Sequence, residues 1–189
     1  RGVQAMTPAI FDPVGAPMVL AHLGHDASGV WSGLAHPITG LDHALAMLTV
    51  GALAILLRSP LMMPGVFLGA MILGGALGVE GLWLPGGEML IAGSVLVLGA
   101  ALFAGARAQV PTAVVLVAFV GVAHGLAHGA EAPRATAPIL YFLGFIVTTA
   151  LIHIVGAVAG HALVNRPAWR AVSGSAVMFA GGGLLLGAL

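Results

Sequence analysis

The chain contains no cysteine and no lysine, and only 6% of its 189 residues are charged. The lack of cysteine excludes a disulfide framework and a thiolate metal site. Six lysine-plus-arginine residues, all of them arginine, balance six acidic residues, which leaves no basic patch that could bind nucleic acid. The sequence also lacks a glycine-rich loop ending in Lys-Ser or Lys-Thr, so no phosphate-binding loop for ATP hydrolysis is present.

What the sequence contains instead is apolar: 60% of the residues are hydrophobic, and the mean hydropathy is +1.11. Because soluble domains carry roughly 25% charged residues, we predict an all-α integral membrane protein that contacts the lipid bilayer on most of its surface. Residues 1–27 include Pro8, Pro13 and Pro17 and have no uninterrupted apolar run. We expect them to be an extracytoplasmic segment, or the remnant of a leader or tag, ahead of a transmembrane domain over residues 28–189.

The transmembrane domain is predicted to be a bundle of six helices, because six apolar segments approach the ~20 residues that a spanning helix needs. The segments are approximately 29–57, 60–79, 88–106, 111–129, 136–163 and 168–189. In the first segment we expect a break at His36-Pro37, since a proline disfavours helical backbone in the residue before it. Asp42 and His43 would then lie near the start of the main helix.

The charged residues between the segments orient the bundle. Four arginines lie in the first, third and fifth loops: Arg58, Arg107, Arg166 and Arg170. The second and fourth loops contain three acidic residues and one arginine: Glu80, Glu88, Glu131 and Arg134. By the positive-inside rule the odd-numbered loops are cytoplasmic, which predicts that both termini lie outside.

Glycines recur at four-residue spacing along several segments, in the sets Gly121/Gly125/Gly129, Gly65/Gly69, Gly74/Gly78 and Gly156/Gly160. Such stripes allow helix backbones to approach closely in lipid. We therefore predict that these stripes are packing faces. They are also compatible with a homo-oligomer.

Two polar clusters interrupt the apolar segments. The first contains His36, Asp42 and His43, and the second contains His124, His128 and Glu131 at the i, i+4, i+7 spacing of one helical face. In the predicted topology both clusters lie in the outer half of the membrane, so we expect them to form one site. Ionisable groups at this depth are costly and indicate function. Imidazole and carboxylate ligands suit Ni²⁺, Co²⁺, Zn²⁺ or Cu²⁺.

Other residues could extend this site into a pathway. His153 lies halfway through the fifth segment, and Met47 adds a thioether near the first cluster. His22, His25 and Asp26 precede the first segment, where they could gather cations at the entrance or belong to a solvated tail.

The motifs His36-Pro-x-x-Gly-x-Asp-His43 and His124-Gly-x-x-His128-Gly-x-Glu131 resemble those of the HupE/UreJ family of nickel transporters, and Thr149-Ala-Leu-Ile-His153 resembles a third part of its pattern. One departure is Ala123, where many relatives are expected to have an aromatic residue. The resemblance implies a multi-pass protein of the bacterial inner membrane that takes up Ni²⁺, or Co²⁺, from the periplasm for hydrogenase or urease maturation. It also implies a set of metal-site residues: His36, Asp42, His43, His124, His128 and Glu131.

We therefore predict a transporter without a prosthetic group, working by facilitated diffusion, and not an enzyme. The alternative is an intramembrane zinc metalloenzyme in which the same histidines and Asp42 hold Zn²⁺ and activate water. Against it, the sequence has no His-Glu-x-x-His motif. A haem-binding electron carrier with histidine pairs on facing helices is a further alternative.

Overall fold

A computed structural model describes residues 29–82, 84–105, 109–131 and 138–187, apart from the side chains of residues 131 and 138. These residues form seven α-helices: α1 Gly29–Thr39, α2 Leu41–Leu56, α3 Met62–Val79, α4 Gly87–Ala104, α5 Val110–Glu131, α6 Pro138–Leu163 and α7 Pro167–Gly187. The helices α3 to α7 are long and apolar enough to cross a membrane, and α1 with α2 supplies a sixth span if that bent pair crosses as one. The prediction of an all-α, multi-pass membrane protein is confirmed.

The outer surface of the bundle is apolar, as a protein surrounded by lipid requires. Large side chains such as Phe119 on α5, Val158 on α6 and Phe179 on α7 are more than half exposed. A water-soluble protein would have to cover a surface of this kind. The bilayer is therefore the partner that these side chains contact.

The first span is broken, but not where the sequence predicted. Pro37 lies inside α1, and the break comes at Gly40, whose backbone is extended with φ −90° and ψ 117°. The axes of α1 and α2 differ by 78°. Pro37 lacks the N–H that would bond one turn back, and α1 ends two residues later. The expectation that Asp42 and His43 lie at the start of the main helix is right, because both are in the first turn of α2.

The helices pack as four close pairs: α3 with α5, α4 with α7, and both α2 and α1 with α6. The helices α2 and α6 run parallel, with Leu48 beside Gly156 and Ala52 beside Gly160. The helices α3 and α5 also run parallel to each other. The core between them includes the fully buried side chain of Phe67.

Glycines make the closest of these contacts. A Cβ atom at Gly125 would overlap the carbonyl oxygen of Met71, and one at Gly74 would overlap that of Val122. The predicted stripes on α5, on α6 and at the end of α3 are therefore packing faces. Gly65 and Gly69 make no such contact within the bundle, because a Cβ at either position would meet nothing within 4 Å among the described residues. For these two glycines the packing face stays a prediction.

The contrast between these glycines predicts the outcome of a matched pair of substitutions. We expect Gly125→Ala to destabilise the folded protein by about 1–3 kcal/mol, because the added methyl forces α3 and α5 apart. Gly69→Ala should leave stability unchanged or slightly raise it, since alanine favours helix. Thermal unfolding of the two purified variants in one detergent measures the difference, and equal melting temperatures would contradict the packing described here.

Candidate metal centre

Three imidazoles from three helices meet at one end of the bundle. The ring of His36, near the end of α1, lies 4.7 Å from that of His128 near the end of α5, measured between centroids. The ring of His43, at the start of α2, lies 4.6 Å from His128 and 5.6 Å from His36. One nitrogen atom from each residue lies within 4.8 Å of the other two. The 78° bend positions this group, because it turns α1 so that His36 reaches the first turn of α2.

The wall beside the three imidazoles comes from α6, which the sequence did not predict. The ring of Phe145 lies 4.4 Å from that of His128, and the ring of Tyr141 lies 5.9 Å from that of His36. Both side chains are buried. Their four-residue spacing, continued by Thr149 and His153, is a signal that could have identified this face of α6 from the sequence.

Asp42 holds the ring of His43 in place. Its carboxylate Oδ1 accepts a hydrogen bond from His43 Nδ1–H and a second, of 2.8 Å, from the backbone N–H of His43. Gly40 leaves room for this pair, because a Cβ there would lie 2.8 Å from His43 Nδ1 and 2.9 Å from Asp42 Oδ1. Since a carboxylate only accepts, the proton of the neutral imidazole is on Nδ1 and Nε2 keeps its lone pair. A carboxylate that orients a ligating histidine in this way is common in metal sites.

His124 lies one turn deeper on α5 and is fully buried. Its ring is 5.2 Å from that of His43, and its Nδ1–H donates to the carbonyl oxygen of Val120 at 2.9 Å. Its Nε2 therefore also keeps a lone pair. Neither His43 Nε2 nor His124 Nε2 has a hydrogen-bond partner among the described residues, although buried polar atoms usually have one.

The remaining predicted residues lie elsewhere. His153 is buried on α6 and contacts the ring of Phe67 at 5.1 Å, outside the group of three imidazoles. Met47 is fully buried in the apolar core, one turn beyond His43. Glu131 is the last residue of α5, and its side chain is outside the described part of the chain. The three residues ahead of the first span are also outside it: His22, His25 and Asp26.

These donors fit a transition-metal ion of borderline softness. Neutral imidazole nitrogen suits Ni²⁺, Co²⁺, Zn²⁺ and Cu²⁺, whereas Mg²⁺ and Ca²⁺ prefer oxygen ligands. Three imidazoles on three helices leave coordination positions open, so an ion held here would keep some of its water. The arrangement can thus bind a divalent ion without enclosing it.

Comparisons with known proteins identify relatives of the chain. The family profile described as HupE / UreJ protein matches residues 13–186. The chain is 36% identical over 171 residues to Protein HupE of Rhizobium leguminosarum bv. viciae, an alignment that covers 88% of this chain and 90% of that protein. No solved structure shows a significant match to the chain.

The geometry predicts how substitutions change metal binding by the purified protein. In detergent, Co²⁺ should produce visible absorption bands, and His43→Ala should abolish them because one of three nitrogen donors is lost. Asp42→Asn should keep the bands but weaken Co²⁺ binding roughly 10- to 100-fold, as loss of an orienting carboxylate does in other metal sites. His161→Ala is the matched control, since His161 is exposed in the last turn of α6. Unchanged titrations for all three variants would exclude this centre.

Proposed function

The chain belongs to the HupE/UreJ family, a family of membrane metal transporters, and from this we propose that it carries Ni²⁺, with Co²⁺ as a second substrate, from the periplasm into the cytoplasm. The observation that carries the proposal is the meeting of His36, His43 and His128 at one end of a membrane bundle. Three imidazoles gathered inside a membrane bundle are costly, and they have no evident role in packing alone. They are the donors that a nickel or cobalt ion requires.

The direction of transport is proposed from the distribution of charge. Arg58 follows α2, and Arg166 and Arg170 lie at the start of α7, all at the end of the bundle opposite the three imidazoles. Arg170 packs there against Gly105, which follows α4. Arginine-rich ends face the cytoplasm in multi-pass proteins. The imidazoles would then open towards the periplasm of a bacterial inner membrane, with both termini on that side.

Capture begins with electrostatic attraction at the periplasmic end. Glu80 and Glu88 are exposed at the same end of the bundle as the imidazoles, and they raise the local concentration of a dication. The ion exchanges part of its water shell for nitrogen atoms of His36, His43 and His128. Asp42 acts through His43, because its carboxylate presents the Nε2 lone pair to the ion.

Onward movement needs a second donor and a driving force. His124, one turn deeper, offers Nε2 to an ion that leaves His43, and His153 lies further along towards the cytoplasmic end. The membrane potential provides about 2.3 kcal/mol per charge per 100 mV, hence about 4.6 kcal/mol for a dication. Facilitated diffusion is therefore sufficient, and no energy-coupling domain is required.

The enzyme alternative uses the same three imidazoles, since three histidines and an open position also form catalytic zinc sites. In this chain Asp42 is engaged by His43, so it is poorly placed to act as a general base. The geometry favours holding and releasing an ion over activating a water molecule. We therefore propose transport alone.

Uptake into proteoliposomes tests this proposal directly. With an inside-negative potential, wild-type protein should accumulate Ni²⁺ and Co²⁺, while His43→Ala and His128→Ala should lower the initial rate about tenfold or more. His161→Ala is again the control, because it removes an exposed imidazole far from the site. Equal uptake by all four proteins would overturn the proposed site, and no uptake by wild type would overturn transport.

External pH should change uptake in a defined direction. Only neutral imidazole ligates a metal, and an imidazole in solution has a pKa of about 6.5. Lowering external pH from about 8 to 5 therefore adds protons that compete with the ion, and uptake should fall. The measurement uses proteoliposomes in which a potassium gradient with valinomycin holds the potential constant. A rise in uptake on acidification would be incompatible with ligation by histidine.

A further inference from the structure

A second group of buried polar atoms lies deeper in the bundle, on α6. Thr149 and His153 are one turn apart on the same helical face, and they are 0% and 2% exposed. The Thr149 hydroxyl has no hydrogen-bond partner among the described residues. The ring of His153 interacts with the backbone carbonyl of Thr149 one turn back, which engages one ring nitrogen and leaves the other without a partner there. Such atoms are rare in proteins and require an explanation.

The Thr149 hydroxyl differs from its buried neighbours in this respect. Thr148 donates to the carbonyl oxygen of Leu34 at 2.9 Å, and Thr49 donates to that of Leu45 at 2.7 Å. A threonine in a helix can donate its hydroxyl to the carbonyl one turn back in one of its common rotamers. Thr149 makes no such bond, so its hydroxyl can turn and point an oxygen lone pair at a ligand.

The position of this pair places it beyond the three imidazoles. Phe145, one turn before Thr149, contacts His128, and Phe67 contacts His124 on one side at 5.9 Å and His153 on the other at 5.1 Å. The carbonyl of His153 packs against Gly51, which is eight residues after His43 on α2. Eight residues of helix correspond to about 12 Å, so the pair lies well below the outer site.

We propose that Thr149 and His153 form a second, inner binding site for a partly hydrated divalent transition-metal ion, separated from the outer imidazoles by Phe67. The ligands are one imidazole nitrogen and one hydroxyl oxygen, and water completes the coordination. This inference rests on the proposed function. A weak second site follows physically from transport, because an ion leaves the outer donors readily only if a further site receives it.

Two substitutions that conserve size test the inner site in proteoliposomes. Thr149→Val and His153→Leu should each lower the maximal rate of Co²⁺ uptake about tenfold. The Co²⁺ concentration for half-maximal uptake should change by less than about twofold, because capture at the outer site is intact. Thr149→Ser should restore the rate, since it returns the hydroxyl. Thr49→Val is the control, because that hydroxyl is already bonded to Leu45.

Co²⁺ absorption in detergent separates this site from the outer one. Both variants should keep the outer-site bands, and His43→Ala should lose them. Wild-type maximal rates in Thr149→Val and His153→Leu, alongside loss of uptake in His43→Ala, would overturn the inner site and leave the proposed function standing. If His153→Leu fails to fold, Thr149→Val and its serine counterpart decide the result. A wild type that takes up no Co²⁺ overturns both.

Discussion

Contact between helix backbones at glycine is the constraint on which the rest of this structure depends. Both candidate ligands on α5 lie next to such a contact: Gly125 follows His124 and packs on Met71, and Gly129 follows His128 and packs on Gly75. In lipid there is no hydrophobic force between helices, so close packing must hold them together. A contact that leaves no room for a Cβ atom also fixes the depth and rotation of the helix. It therefore fixes the position of the imidazole next to the glycine.

Hydrogen bonds then decide which ring nitrogen of His43 and of His124 keeps its lone pair. Asp42 takes the Nδ1–H of His43, and Val120 takes the Nδ1–H of His124, so both rings present Nε2. A neutral imidazole held by no such bond could present its N–H instead of its lone pair, and an N–H cannot ligate a cation. The two acceptors are different groups: a carboxylate for His43 at the outer end, and a neutral backbone carbonyl for His124 in the interior. This difference is expected, because the free-energy cost of burying a charge rises with depth in the membrane.

Much of this arrangement was predictable from the sequence because lipid imposes simple rules. Six apolar segments and the two histidine clusters follow from composition and spacing alone. The position of the helix break did not, because Pro37 is tolerated near the end of α1 and the decisive residue is Gly40, which makes room for Asp42 and His43. The α6 wall was also missed. Which face of an apolar helix meets a neighbour depends on tertiary packing, and apart from the spacing of aromatic and polar residues on α6 the uniformly hydrophobic sequence carries no sign of it.

An incomplete set of protein ligands distinguishes a site that passes a metal ion on from a site that retains it. A site with four or more protein donors in ideal geometry binds a divalent ion so tightly that release becomes slow, as in structural zinc sites. Here His36 is half-buried at the outer edge and the other donors are spread along the bundle, from His43 and His128 to His124. On the proposed pathway an ion would exchange one nitrogen for the next without becoming fully dehydrated at any point. Buried polar atoms spread through the bundle would be a defect in a protein evolved for stability alone. In the proposed pathway they would keep the binding at each step weak enough for the ion to move on to the next.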